Sequence, residues 1–245
     1  MSKPKKGIAV RLNAADVAIS NAKGDAEIGQ YLGAFGYQTP QLSEGMALYE
    51  AADGAVKKQV AAEGDQGEAS KRAQNAEKAA RKAYQDLAKV ARAIFSKDKA
   101  ALSVLGLDRP MPKAMPLFLT MATALFDNAS HDPDIAKALG TRGYDAKRLA
   151  AGRAKVVEMS AAMQAHQSAI GASQQATEEQ DAVLKAMDAW MSEFVKIAKV
   201  ALGPKPQLLE KLGILKRNTK TKAQRKAPAK AAATRKAKKA PPAKA

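Results

Sequence analysis

With 245 residues, no cysteine and a net charge of +17, the chain excludes disulfide staples and Cys-ligated metal. Apolar residues make up 46%, but only 4% are aromatic and much of the rest is Ala, so the composition favours helices packed closely around a thin core. No apolar run approaches the roughly 18 residues of a membrane span, and Asn13, Asp16 and Ser20 interrupt the start where a secretory signal would need an apolar stretch. A cytoplasmic protein is expected.

The charge is unevenly placed. Residues 216–245 hold twelve Lys/Arg and no acid, which leaves 29 of the 41 basic residues against all 24 acidic ones in 1–215. The imbalance belongs mainly to the C-terminal tail.

Shifted by 107 residues, the chain matches itself without a gap: 3–107 against 110–214 gives 25 identities in 105 positions, eight of them Ala and five Gly. Ile28, Leu32, Gly33, Gly36 and Tyr37 meet Ile135, Leu139, Gly140, Gly143 and Tyr144; Leu102, Leu105 and Gly106 meet Leu209, Leu212 and Gly213. Paired glycines mark shared backbone breaks, so tandem duplication is the reading.

In chain order, each copy begins with a helix near 10–22, repeated at 117–129. A short helix near 25–32 follows, repeated at 133–139. Asp132 before Pro133 is an N-cap followed by Pro at the first helical position. Gly33 and Gly140 are expected to end these helices with positive φ. The Gly-x-x-Gly-Tyr segments 33–37 and 140–144 lack the strand and the Lys-Ser/Thr of a nucleotide loop; they read as helix caps with the Tyr packed beneath.

A long helical region comes next, 41–96 and 147–202. Val156, Met159, Met163, His166 and Ile170 form a stripe at spacings of 3 and 4, expected to stop at Gly171-Ala172-Ser173. The first copy reads Glu63-Gly64-Asp65-Gln66-Gly67 there. The expectation is a helical hairpin with arms at 41–62 and 69–96, then at 147–169 and 175–202. An unbroken helix of some fifty residues is the alternative, because one Gly costs only about 1 kcal/mol in a helix. The second arm carries Leu184, Met187, Met191 and Phe194 with Trp190 beside them. Short helices at 100–105 and 207–212 close the copies, capped by Gly106 and Gly213. Residues 108–116, with three prolines, form a stiff linker.

Catalytic patterns are lacking. His131 and His166 have Gly24 and Gln59 as counterparts; the first reads as a surface residue and the second as a packing residue on a helix stripe. Glu178-Glu179 are adjacent and do not point together on a helix. There is no zinc signature, nucleophile elbow or P-loop. The expectation is a non-enzyme without cofactor or metal.

The tail KRNTKTKAQRKAPAKAAATRKAKKAPPAKA has no aromatic residue and no aliphatic larger than Ala, so it is expected to be disordered. Its basic residues are Lys216, Arg217, Lys220, Lys222, Arg225, Lys226, Lys230, Arg235, Lys236, Lys238, Lys239 and Lys244. Charges at this density suit a polyanion, with binding that weakens steeply as salt rises. Elements such as Lys226-Ala227-Pro228-Ala229-Lys230 and Lys239-Ala240-Pro241-Pro242-Ala243-Lys244 resemble the Lys/Ala/Pro-rich tails of linker histones and bacterial histone-like proteins, over 217–245 alone. The resemblance implies non-specific nucleic-acid binding and compaction, and a nucleoid location if the target is DNA. Residues 1–215 carry no winged-helix pattern.

The expected fold is all-α: two tandem helical hairpins with short flanking helices form a pseudo-twofold four-helix bundle. Copy one spans 1–107, the linker 108–116, copy two 117–215 (packed with copy one as a single domain) and the tail 216–245. Trp190, Phe194, Leu184, Met187, Tyr84, Leu87, Ile94, Val156 and Met163 are the expected core. The expected function is nucleic-acid association through the tail, with the bundle as scaffold. The alternative is a helical interaction scaffold, self-associating or docking a helical partner, whose tail is an appendage.

Overall fold

A computed structural model describes residues 7–214. Among these the chain is all-helical: α1 (Ile8–Gly24), α2 (Ala26–Gly33), α3 (Thr39–Ile94), α4 (Lys99–Val104), α5 (Met115–His131), α6 (Pro133–Gly140), α7 (Ala146–Ala201) and α8 (Pro206–Lys211). None is long and apolar enough to cross a membrane. The lengths 17, 8, 56 and 6 occur in that order twice, each start displaced by 107 residues.

The hairpins are not present. Each long region is one uninterrupted helix of 56 residues, and Glu63–Gly67 and Gly171–Ser173 lie inside α3 and α7. Gly64, Gly67 and Gly171 keep ordinary φ. Their cost, about 1 kcal/mol each, is set against flanks of Ala, Glu, Gln, Lys and Arg, all strong helix formers. Ion pairs one turn apart, Lys71–Glu68, Arg81–Glu77 and Lys82–Asp86, add to the α3 side of that balance. Nor does the α7 stripe stop at Ser173: that residue is buried, as are Ala176, Gln180, Leu184 and Met187 beyond it.

The short-helix stops also differ from expectation. Gly33 and Gly140 are the last residues of α2 and α6, while positive φ falls three residues later, at Gly36 (87°) and Gly143 (81°). The chain needs one more turn before it reverses, and the amides of Tyr37 and Tyr144 then donate to the carbonyls of Leu32 and Leu139 at 3.1 Å. Both Tyr rings are buried beneath these turns. Gly106 and Gly213 do carry positive φ, and Asp132 caps α6 through the amides of Asp134 and Ile135.

The described chain divides into two compact units, whose boundaries do not coincide with those expected from the 107-residue offset. Among the described residues, unit one comprises 7–53 and 183–214, unit two 54–182. Unit one therefore joins α1, α2 and the start of α3 to the end of α7 and α8. Its core holds Ile28, Leu32, Tyr37 and Leu42 with Phe194, Leu202, Leu208 and Leu209, and Trp190 packs against it. Unit two joins the rest of α3 and α4 to α5, α6 and the start of α7. Tyr84, Leu87, Phe118, Leu125, Phe126, Leu139, Val156 and Met159 fill its core, with Ile94 and Met163 partly buried at its margin.

The two units use matching ties. In unit one the Asn21 side-chain amide donates to the Lys211 carbonyl at 2.6 Å; in unit two Asn128 donates to the Val104 carbonyl at 2.5 Å. Each Asn thereby satisfies an otherwise unpaired carbonyl at the end of a short helix. The linker is held to α3 by Arg81, which donates to the carbonyls of Pro112 and Lys113 at 3.2 and 3.1 Å.

Candidate functional site

The twelve tail residues, Lys216 to Lys244, lie outside the described residues, as do Lys3, Lys5 and Lys6. What the described part supplies is a surface of known charge. Residues 7–214 hold 26 Lys/Arg against 24 Asp/Glu, close to balance. The balance is not even: residues 54–182 of unit two hold 19 basic against 15 acidic residues, while the described part of unit one holds 7 against 9. The basic excess of the folded body therefore lies on unit two.

Part of that excess is organised by helix geometry. Lys71, Lys78, Lys82 and Lys89 are all exposed on α3. At 100° per residue they fall within about 40° of one another, in a row about 27 Å long. Lys71 donates to Glu68 at 2.7 Å and Lys82 to Asp86 at 3.0 Å. The Lys71 ammonium holds the Glu68 carboxyl below its usual range, and Lys82 does the same to Asp86. Glu68 in turn raises Lys71. The row is thus a cationic face with two of its charges partly matched. Its spacing of 7, 4 and 7 is present in the sequence, but the four charges share a face only because α3 is continuous from Lys71 to Lys89.

Unit two also contains an open groove of about 800 Å³ between α5 and α7. Leu119, Val156 and Val157 give it an apolar floor. Its rim carries Asp127 and Arg153, which pair at 2.8 Å. A satisfied ion pair at the edge of an open groove supplies neither a free base nor a free acid.

The candidate chemical residues have ordinary surroundings. His131 is exposed, and its Nδ1 lies 2.7 Å from the Asp127 carbonyl oxygen, so Nδ1 carries the proton in that bond. His166 is half-buried on the α7 stripe. Glu179 is held by Lys58 at 2.5 Å and by Gln175 at 3.0 Å, and the Lys58 ammonium keeps its carboxyl below the usual range. Among the described residues no three His, Asp or Glu side chains converge as a metal site.

One buried polar group stands apart. The Tyr84 hydroxyl, inside the unit-two core, has no hydrogen-bond partner among the described residues, and burial pushes its pKa above the usual tyrosine value. Its ring meets Phe118 edge-on with centroids 5.6 Å apart, and the Arg81 guanidinium lies over the other ring of that pair, 4.3 Å from the Phe118 centroid. Unit one has an aromatic group at other positions, Tyr37, Trp190 and Phe194: Trp190 stacks on Phe194 and Tyr37 meets both edge-on. Burial first, then the nearby Glu193 carboxylate, raises the Tyr37 phenol. Comparison of the chain with protein-family models, with curated proteins and with solved structures finds no match.

Proposed function

We propose that the protein is a non-enzymatic binding protein that associates with nucleic acid, without sequence preference, through Lys216–Lys244, the helical body serving as scaffold. The observation that carries the reading is the charge distribution. Twelve basic residues and no acid occupy 216–245, whereas residues 7–214 are nearly balanced. Phosphate neutralisation by such a tail releases counterions and contributes affinity without reading bases. The exposed lysine row on α3 is a second place where a backbone phosphate would be accepted. A cytoplasmic, nucleoid-associated location goes with a DNA target.

The test is gel retardation of duplex DNA and of RNA across a salt series. It compares the full-length chain with a full-length variant whose twelve tail Lys/Arg are Gln. If six of the tail charges meet phosphate, log K falls with log salt with a slope of about −5 on duplex DNA. The neutralised variant is expected to lose the shift at low salt; an undiminished shift overturns the reading.

The reading includes tandem duplication as the origin of the helical body. Its support is the 107-residue offset shared by the four element lengths, by the Gly36/Gly143 and Gly106/Gly213 turns and by the Asn21/Asn128 ties. A pseudo-twofold relation between the copies is part of that proposal. A second reading is a helical interaction scaffold, which would require the exposed apolar side chains of unit two, Val60, Leu117 and Val157, to form one continuous patch. Sedimentation of the tail-neutralised chain separates the two: self-association that survives neutralisation supports the scaffold reading.

A further inference from the structure

We infer that the two copies are mutually selective partners. The α1–α2 end of copy one is built to accept the α7–α8 end of copy two, the α5–α6 end of copy two is built to accept the α3–α4 end of copy one, and two reciprocal sets of side chains enforce this. The inference rests on the duplication reading above and concerns what keeps the copies from pairing with themselves.

The first set is electrostatic. In unit one Arg11 of α1 meets Asp188 of α7 through two contacts, Nη2 to Oδ2 at 2.5 Å and Nε to Oδ1 at 3.1 Å. The positions 107 residues away are Phe118 of α5 and Arg81 of α3, and in unit two these meet as a cation over a ring. Each arrangement is favourable. Exchanged, neither is. Like pairing would set Arg11 against Arg81, two guanidinium ions, and Phe118 against Asp188, a carboxylate over the negative face of a ring.

The second set is volumetric. Gly45 and Gly152 occupy matching positions in α3 and α7, and both are buried. A Cβ on Gly45 would lie 2.3 Å from Trp190 Cη2; one on Gly152 would lie 2.2 Å from Phe126 Cε1. The covering ring thus comes from the end of α7 in unit one and from α5 in unit two. The matching residues on the opposite element are Ile19 and Ala83, both smaller. Like pairing would bring Ile19 and Ala83 to Gly45, leaving a void, and Phe126 and Trp190 to Gly152, two ring systems for one space. A helix of 56 residues cannot fold its first turns onto its last, so within one chain each copy takes its complement from the other, and the like pairing that these side chains disfavour is between matching copies of two chains.

The test is a pair of double-mutant cycles on the full-length chain, read as urea midpoints. Arg11→Phe with Asp188→Arg rebuilds in unit one the pair found in unit two. Trp190→Ala with Ile19→Phe moves the covering ring in the same way. Each single change is expected to lower the midpoint, and each double to regain at least half of the summed loss. Trp190→Ala with Phe126→Ile, which leaves the two units' compensations uncoupled, is the control and is expected to be additive. Additive losses in either of the two rebuilding cycles, or a double variant that fails to fold where its singles fold, overturn the inference.

Discussion

Replacing Tyr84 by Phe is expected to stabilise the protein, against the usual sign for a change at a buried position. The residue is 2% exposed, and its hydroxyl has no hydrogen-bond partner among the described residues. A buried hydroxyl left unsatisfied costs about 1–3 kcal/mol, because it has given up water and gained nothing. The Phe variant keeps the ring and its edge-on contact with Phe118, so it removes that cost without opening a cavity larger than one oxygen atom. A gain of about 1 kcal/mol follows, or about 2–4 °C in Tm for a chain of this size. Equilibrium urea unfolding followed by far-ultraviolet circular dichroism measures it. The pH dependence supplies an independent sign. Burial raises the folded phenol's pKa, so the unfolded chain ionises first as pH rises. Stability present below the unfolded tyrosine value of about 10 is lost above it, and Tyr84→Phe is expected to lose less. A variant destabilised by more than about 0.5 kcal/mol, with unchanged alkaline sensitivity, would refute the reasoning, since it would mean that the hydroxyl contributes a favourable contact.

Gly152→Ala is expected to cost about 1–3 kcal/mol and more than Gly45→Ala, because Phe126 is 1% exposed and has nowhere to go, while Trp190 is only half-buried and can tilt outward; a shift in Trp emission in the Gly45 variant alone would report that tilt. Gly64→Ala and Gly171→Ala are expected to raise stability by about 0.5–1 kcal/mol each, since both sit in continuous helix with open space where a Cβ would stand; a loss in thermal melts would instead indicate a turn. The Lys211 ammonium holds the Asp25 carboxyl below its ordinary value, so stability from this pair is present above the unfolded carboxyl value of about 3.9 and is lost as pH falls through the folded one. Asp25→Asn is therefore expected to flatten the acid limb of the unfolding curve, and an unchanged limb in a pH series would count against the pair.

The elements that short-range chemistry determines were legible. Asp132 followed by Pro133, and Gly106 and Gly213 each directly after a Leu, mark caps because each satisfies backbone groups within a few residues of itself. The middle of the long helices was not, because there two local signals oppose one another. Glycines at 64, 67 and 171 suggest a break, while the surrounding Ala, Glu, Gln and Lys favour continuation. The decision falls to burial at Ser173, Ala176 and Gln180, which depends on a neighbouring helix rather than on adjacent residues. Gly33 ends α2 without reversing the chain for a related reason. Of the two glycines in 33–36, the one that reverses the chain is set by where Tyr37 must be buried.

The same division between local and distant determinants explains why the candidate site was only half visible. The tail announces its chemistry by composition alone, since nothing in it needs a fold to be cationic. The lysine row on α3 needs the helix to be unbroken in phase from Lys71 to Lys89 before the four charges share a face. By type Arg81 belongs with its neighbours Lys78 and Lys82, yet it faces inward, over Phe118 and against the carbonyls of Pro112 and Lys113. A guanidinium so engaged is withdrawn from any polyanion, so charge counted along the sequence overstates what α3 offers to a phosphate backbone. What remains exposed on the row is two lysines matched by Glu68 and Asp86, together with Lys78 and Lys89, a weaker cationic surface than twelve unopposed charges in thirty residues. On that comparison the proposed association with a polyanion rests on the charge of the tail rather than on the lysine row of α3.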